Sequence, residues 1–69
     1  MDDADLKNRF TYHPPKDDQA ARYEKLRFNG KNLADMINEL APDSREKSLA
    51  ITYLEQAVMW ANASIARNG

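Results

Sequence analysis

Sixty-nine residues make one small domain at most, and ten Lys/Arg against eleven Asp/Glu give a formal net charge of -1, which excludes a protein held on DNA by bulk charge. With no cysteine and one histidine, a disulfide framework, a thiolate or His-rich metal site and a Cys nucleophile are excluded as well. No apolar run approaches the roughly 20 residues of a membrane span, and the acidic start Met1-Asp2-Asp3-Ala4-Asp5 lacks a signal peptide's pattern, so the expected setting is the cytoplasm.

Size limits the architecture further. Below roughly 70–80 residues one core seldom supplies more than ~3–5 kcal/mol. No disulfide or metal adds to it here, so oligomerisation is the expected staple.

Glycine is scarce, and Pro14, Pro15 and Pro42 divide the chain into three pieces. No period-2 alternation is sustained, so the fold class is all-α. The first piece predicts a short helix over about 3–9. Asp2, Asp3 and Asp5 suit the positive end of its dipole, and Leu6 and Phe10 are its anchors, since so short a helix must dock on something. Residues 10–16 read as an extended loop. Pro14 and Pro15 push their predecessors toward extended geometry and hold Tyr12 and His13 at fixed places.

The second piece predicts a long helix over about 17–41, capped by Asp17 or Asp18. Leu26, Leu33, Ile37 and Leu40 form its stripe, widened by Tyr23 and Met36. Gly30 sits mid-helix at a cost of about 1 kcal/mol relative to Ala, which marks a kink or a close approach by a backbone or ligand. Asp43 and Glu46 resemble a capping box for a third helix over about 43–67, roughly 35 Å long. The short link makes an antiparallel hairpin, and residues 1–69 read as a single helical domain.

The third helix carries two apolar seams. Ile51, Leu54, Val58, Ala61 and Ile65 form one; Ala50, Tyr53, Ala57, Trp60 and Ser64 form the other. One partner helix covers one narrow stripe. The second seam therefore needs another protomer, unless a bent hairpin covers both.

No catalytic constellation stands out: there is no G-x-S-x-G elbow for His13 to serve and no Gly-rich phosphate loop, so the expectation is a protein that is not an enzyme and needs no cofactor. Charge is uneven. Residues 16–31 carry five Lys/Arg against three Asp/Glu, and residues 32–46 one against four. A basic half-helix thus follows an aromatic, Pro-fixed segment. Cations for phosphate and a ring for base stacking are what a small nucleotide requires; an ordinary solvated helix face has the same composition. Arg67 complements the negative end of the last helix. Several copies meeting around a symmetry axis would instead need an anion.

Four strings bring a family into view: Arg9-Phe10-Thr11-Tyr12-His13-Pro14-Pro15; Arg22-Tyr23-Glu24-Lys25-Leu26-Arg27; Ser44-Arg45-Glu46-Lys47-Ser48-Leu49-Ala50-Ile51-Thr52-Tyr53-Leu54-Glu55; and Val58-Met59-Trp60-Ala61-Asn62-Ala63-Ser64-Ile65-Ala66-Arg67. Together they resemble the phage anti-CBASS cyclic-oligonucleotide sponge family over nearly the whole chain. The last two strings are the most specific. The resemblance implies a small helical protein assembling as a homohexamer. Such a protein sequesters, without cleavage, the cyclic di- and trinucleotide messengers of CBASS immunity in the host bacterial cytoplasm. It implies a dinucleotide site between paired protomers, with Tyr12 stacking on a base, Lys25 or Arg27 at the phosphates, and His13 either on the ligand or bracing the loop. It implies a separate trinucleotide pocket on threefold axes with Arg67. The family's polar partner there is a hydroxyl residue, and the register here offers Phe28 or Asn29, neither a hydroxyl. The alternative from the residues alone is an oligomeric helical-hairpin interaction module that docks a protein through Trp60 and Tyr53.

Overall fold

A computed structural model describes all of residues 1–69, and it is entirely helical. Helix α1 spans Asp3–Phe10, α2 spans Gln19–Leu40 and α3 spans Arg45–Asn68. The only extensive packing between elements joins α2 and α3, which run antiparallel as a hairpin. The molecule measures 45 × 29 × 12 Å, and its thin dimension is about one helix diameter. It is a single layer.

Each helix starts for a local reason. The Asp2 carboxylate accepts the Asp5 N–H at 2.7 Å and caps α1. Helix α2 starts at Gln19 rather than at Asp17, because Asp17 takes a positive φ of 52°, a conformation that Asp tolerates but no α-helix continues. Asp18 stands at the cap position without a capping bond; its carboxylate instead pairs with Arg22 at 3.2 Å. Helix α3 is capped by Ser44, whose Oγ accepts the Lys47 N–H at 3.1 Å. Asp43, expected as that cap, lies one residue too early. It binds the Lys47 ammonium at 2.9 Å, while the same ammonium donates to the Asn38 carbonyl at 2.8 Å. Lys47 thereby ties the end of α2 to the turn.

The α2–α3 seam mixes large apolar residues with small ones. Tyr23, Leu26, Gly30, Ala34 and Ile37 of α2 are half-buried, as are Ile51, Leu54, Val58, Ala61 and Ile65 of α3. Gly30 is there because the helices nearly touch: a Cβ on it would lie 2.8 Å from Val58 Cγ2. Of the stripe expected on α2, Leu33 and Leu40 face outward with Met36. Neither Leu6 nor Phe10 anchors α1; both are exposed, Phe10 at 84%.

The core stays open. No apolar residue is fully buried, and the accessible surface is 5662 Å², against about 4,400 Å² for a folded monomer of this mass. The radius of gyration is 15.2 Å, where a compact chain of this length has about 11 Å. The second seam of α3 lies on the open surface, with Tyr53 and Trp60 two-thirds exposed.

Candidate functional site

Tyr12 stands on the loop between α1 and α2, and its ring is 80% exposed. The next residue is tied down: His13 Nε2 donates to the Asn8 carbonyl at 2.8 Å. The imidazole thus braces the loop against the last turn of α1, and Tyr12 is held out beside it.

Lys25 and Arg27 are two positions apart on α2, so they point about 200° apart around its axis. One chain cannot aim both at one ligand. Arg27 lies along the hairpin. It lines a groove of about 380 Å³ with Gly30, Leu54, Val58 and Asn62, and a neighbouring one with Tyr23, Ala63 and Ala66. Lys25 lies on the other side together with Asn29, whose Nδ2 donates to the Lys25 carbonyl at 2.9 Å. The four ion pairs use Arg9, Arg22, Lys31 and Lys47. Lys25, Arg27 and Arg67 have no carboxylate partner, as is also true of Lys7, Lys16 and Arg45.

Arg67 is half-buried near the end of α3. It shares a groove of about 520 Å³ with Asn8, Arg9, Phe10 and Trp60. Arg9 is loosely paired there, at 3.5 Å from Asp5. The groove is also lined by the Asp5 carboxylate that pairs with Arg9, so the unpaired Arg67 guanidinium beside two aromatic rings is the part that suits an anion carrying a flat ring. Asn29 is not part of this site. Gly30 lies opposite Val58, and Arg67 is nine residues further along α3, roughly 13 Å by helical rise. Within one chain, Asn29 does not line the groove that Arg67 lines.

Three structurally placed residues escape a reading of the sequence. Asn62 faces the Arg27 grooves, and its Oδ1 is buried with no hydrogen-bond partner; the signal was a polar residue inside the otherwise apolar Met59-Trp60-Ala61-Asn62-Ala63 string. Arg9 joins Arg67 only because α1 lies beside the far end of α3, which no local pattern encodes. Gln19 is the most buried residue of the chain, and nothing in its sequence neighbourhood marks it.

Residues 2–66 match the family model described as Acb2/Tad1, hairpin domain. The chain belongs to the Acb2/Tad1 hairpin family. This is the anti-CBASS sponge family that its motifs resemble, a family of binding proteins, and membership implies a sponge-type role. No curated protein and no solved structure matches the chain. The matched span includes the Tyr12 loop and both candidate cations on α2, and it ends one residue before Arg67. The helical hairpin fits the family description. No helix is long and apolar enough to cross a membrane.

Proposed function

We propose that this Acb2/Tad1 hairpin protein sequesters cyclic dinucleotides, without cleaving them, as a homo-oligomer acting in the cytoplasm of an infected bacterium. The observation that carries the reading is the family match across residues 2–66. The geometry supports it at two points. Tyr12 offers an exposed ring on a braced loop, and Arg27 offers an uncommitted guanidinium on a groove wall. Tyr12 stacks on a base and Arg27 holds phosphate. Lys25 faces away from Arg27 and reaches the ligand only if it comes from a second protomer, and His13 acts through the loop.

Self-assembly is the second part of the proposal. The surface in excess of a compact monomer is on the order of 1,200 Å², more than the roughly 800 Å² each partner gives to a standard interface. A hexamer, the family's assembly, covers the outer seam of α3. The groove of Arg9, Trp60 and Arg67 holds a cyclic trinucleotide where copies meet around an axis, and Asn29 reaches such a pocket only from another protomer.

The test is retention and release. Purified protein is incubated with a panel of cyclic dinucleotides, separated from free ligand, heated, and the released nucleotide is identified. Intact nucleotide is expected. Cleaved product, or no retention of any member of the panel, sinks the proposal. In that second case, a mass that changes only with a protein partner would instead favour the interaction module docking through Trp60 and Tyr53.

A further inference from the structure

Gln19 is the one fully buried residue in a chain with an open core, at 2% exposure. A buried amide persists only when both of its ends are bonded, and both are. The side-chain Oε1 accepts the Lys16 backbone N–H at 3.2 Å, and Nε2 donates to the Ile65 carbonyl at 3.2 Å. The two partners fix the amide's orientation, since one is a donor and the other an acceptor. Ile65 belongs to the last turns of α3, and its carbonyl also accepts the Gly69 N–H at 2.9 Å. A single side chain therefore spans from the end of the loop to the end of the third helix.

The loop has a second fixed point at the bond from His13 to the Asn8 carbonyl. Between the two lie Pro14 and Pro15, which remove most of the backbone freedom there. Tyr12 adjoins the first fixed point. Its ring makes no hydrogen bond of its own and is 80% exposed, so its place is set by the segment that carries it.

We propose that the Gln19 amide is the strut that locks residues 11–16 against the end of α3 and so presents the Tyr12 ring. This positioning role rests on the reading that Tyr12 contacts the nucleotide. Glutamine is the residue the geometry requires. Glutamate keeps the acceptor for the Lys16 N–H but loses the donor to Ile65. Methionine fills the space and loses both. The Ile65 carbonyl retains Gly69 in either variant, whereas the Lys16 N–H has no second partner.

The test is a double-mutant cycle read in two ways. Affinity for a cyclic dinucleotide is measured by calorimetry for the native protein, Gln19→Met, Tyr12→Ala and the double variant. Backbone order is measured by nitrogen relaxation at Thr11, Tyr12, His13 and Lys16, the residues of the segment that carry an N–H. Gln19→Met should weaken binding about tenfold, the order of two lost hydrogen bonds at the lower end of their usual worth. It should add nothing once Tyr12 is already alanine, and residues 11–16 should lose order while α2 and α3 keep theirs. Unchanged affinity in Gln19→Met, or a full tenfold loss persisting in the Tyr12→Ala background, overturns the proposal. If Gln19→Met does not fold, Gln19→Glu takes its place in the cycle, with the same outcomes. If the native protein binds no cyclic dinucleotide, the proposed function fails, and the order of residues 11–16 still decides the strut: unchanged order in the variant overturns it.

Discussion

Opposite faces of one helix separate the roles of its cations. Arg27 stands on the hairpin groove and Lys25 does not, so truncating them should have unequal effects. A charge-assisted contact to phosphate is worth about 1.5–3 kcal/mol, so Arg27→Ala should weaken cyclic dinucleotide binding by one to two decades. Lys25→Ala should change it less than about threefold if Lys25 only solvates its face. Calorimetry on the two variants checks this, and equal losses would mean that two protomers share one ligand. Tyr12→Ala removes a stacking ring worth about 1–3 kcal/mol per base, with a loss of similar size expected and the assembly intact. Arg67 belongs to another groove, with Arg9 and Trp60. Arg67→Ala should therefore abolish trinucleotide binding and leave dinucleotide binding unchanged; a loss of dinucleotide binding with assembly preserved would show that the two sites are not separate.

Helix contacts turn on single atoms. Alanine at Gly30 would gain helix propensity of about 1 kcal/mol, but its Cβ would meet Val58 Cγ2 at 2.8 Å, and a β-branched side chain in a helix has no free rotamer to retreat to. Overpacking of this kind costs about 1–3 kcal/mol, so Gly30→Ala should lower the melting temperature, and Val58→Ala added to it should restore part of the loss. A melting temperature that rises in Gly30→Ala would show that the helices separate without cost. At the turn, the Lys47 hydrogen bond and then its charge hold the Asp43 carboxyl below its ordinary value of 3.8. The pair thus favours the folded hairpin above that value and fades as pH falls through the lower folded one. Thermal stability should decline below about pH 4, and Asp43→Asn should flatten that part of the decline. Much of this scale was legible in the sequence. Two prolines and three acidic residues announced α1 and its loop, and the 3-4 spacing of Ile51, Leu54, Val58, Ala61 and Ile65 named the inner seam. The matching face of α2 was partly legible: Tyr23, Leu26 and Ile37 of the expected stripe lie in the seam, whereas Gly30 and Ala34 pack by being small and the large residues Leu33 and Leu40 face outward. The cap shifted from Asp43 to Ser44 because both residue types cap helices and only the backbone chooses between them. Of the proposed site, residue type and charge pointed only to an aromatic, Pro-fixed loop ahead of a basic half-helix; Tyr12 and the choice between Lys25 and Arg27 came from the family resemblance, while Asn62, Arg9 and Gln19 are brought into place by contacts between elements distant in sequence.

A single layer of helices about 12 Å thick leaves one side of every helix in water, and the whole molecule has to be judged by what that side contains. It contains Leu33, Met36, Leu40, Tyr53 and Trp60, all exposed, on a chain whose inner seam buries no apolar residue completely. Monomeric proteins rarely expose contiguous apolar area beyond a few hundred Å², and a chain this short has no disulfide or metal in reserve. Association of like chains removes the apolar area from water and supplies the missing core in the same step, so folding and assembly are expected to be one concentration-dependent transition. Trp60 reports on it directly, being the only tryptophan. Light scattering at micromolar concentration should give a mass close to six chains, and dilution toward dissociation should move the tryptophan emission to the red together with loss of helical signal. Trp60→Ala removes an anchor worth about 3–5 kcal/mol where such a side chain is buried and should shift dissociation to far higher concentration. A monodisperse, helical monomer at micromolar concentration, with emission already at the red limit, would show that the open seam of α3 is stable in water and would leave the hexamer without physical support.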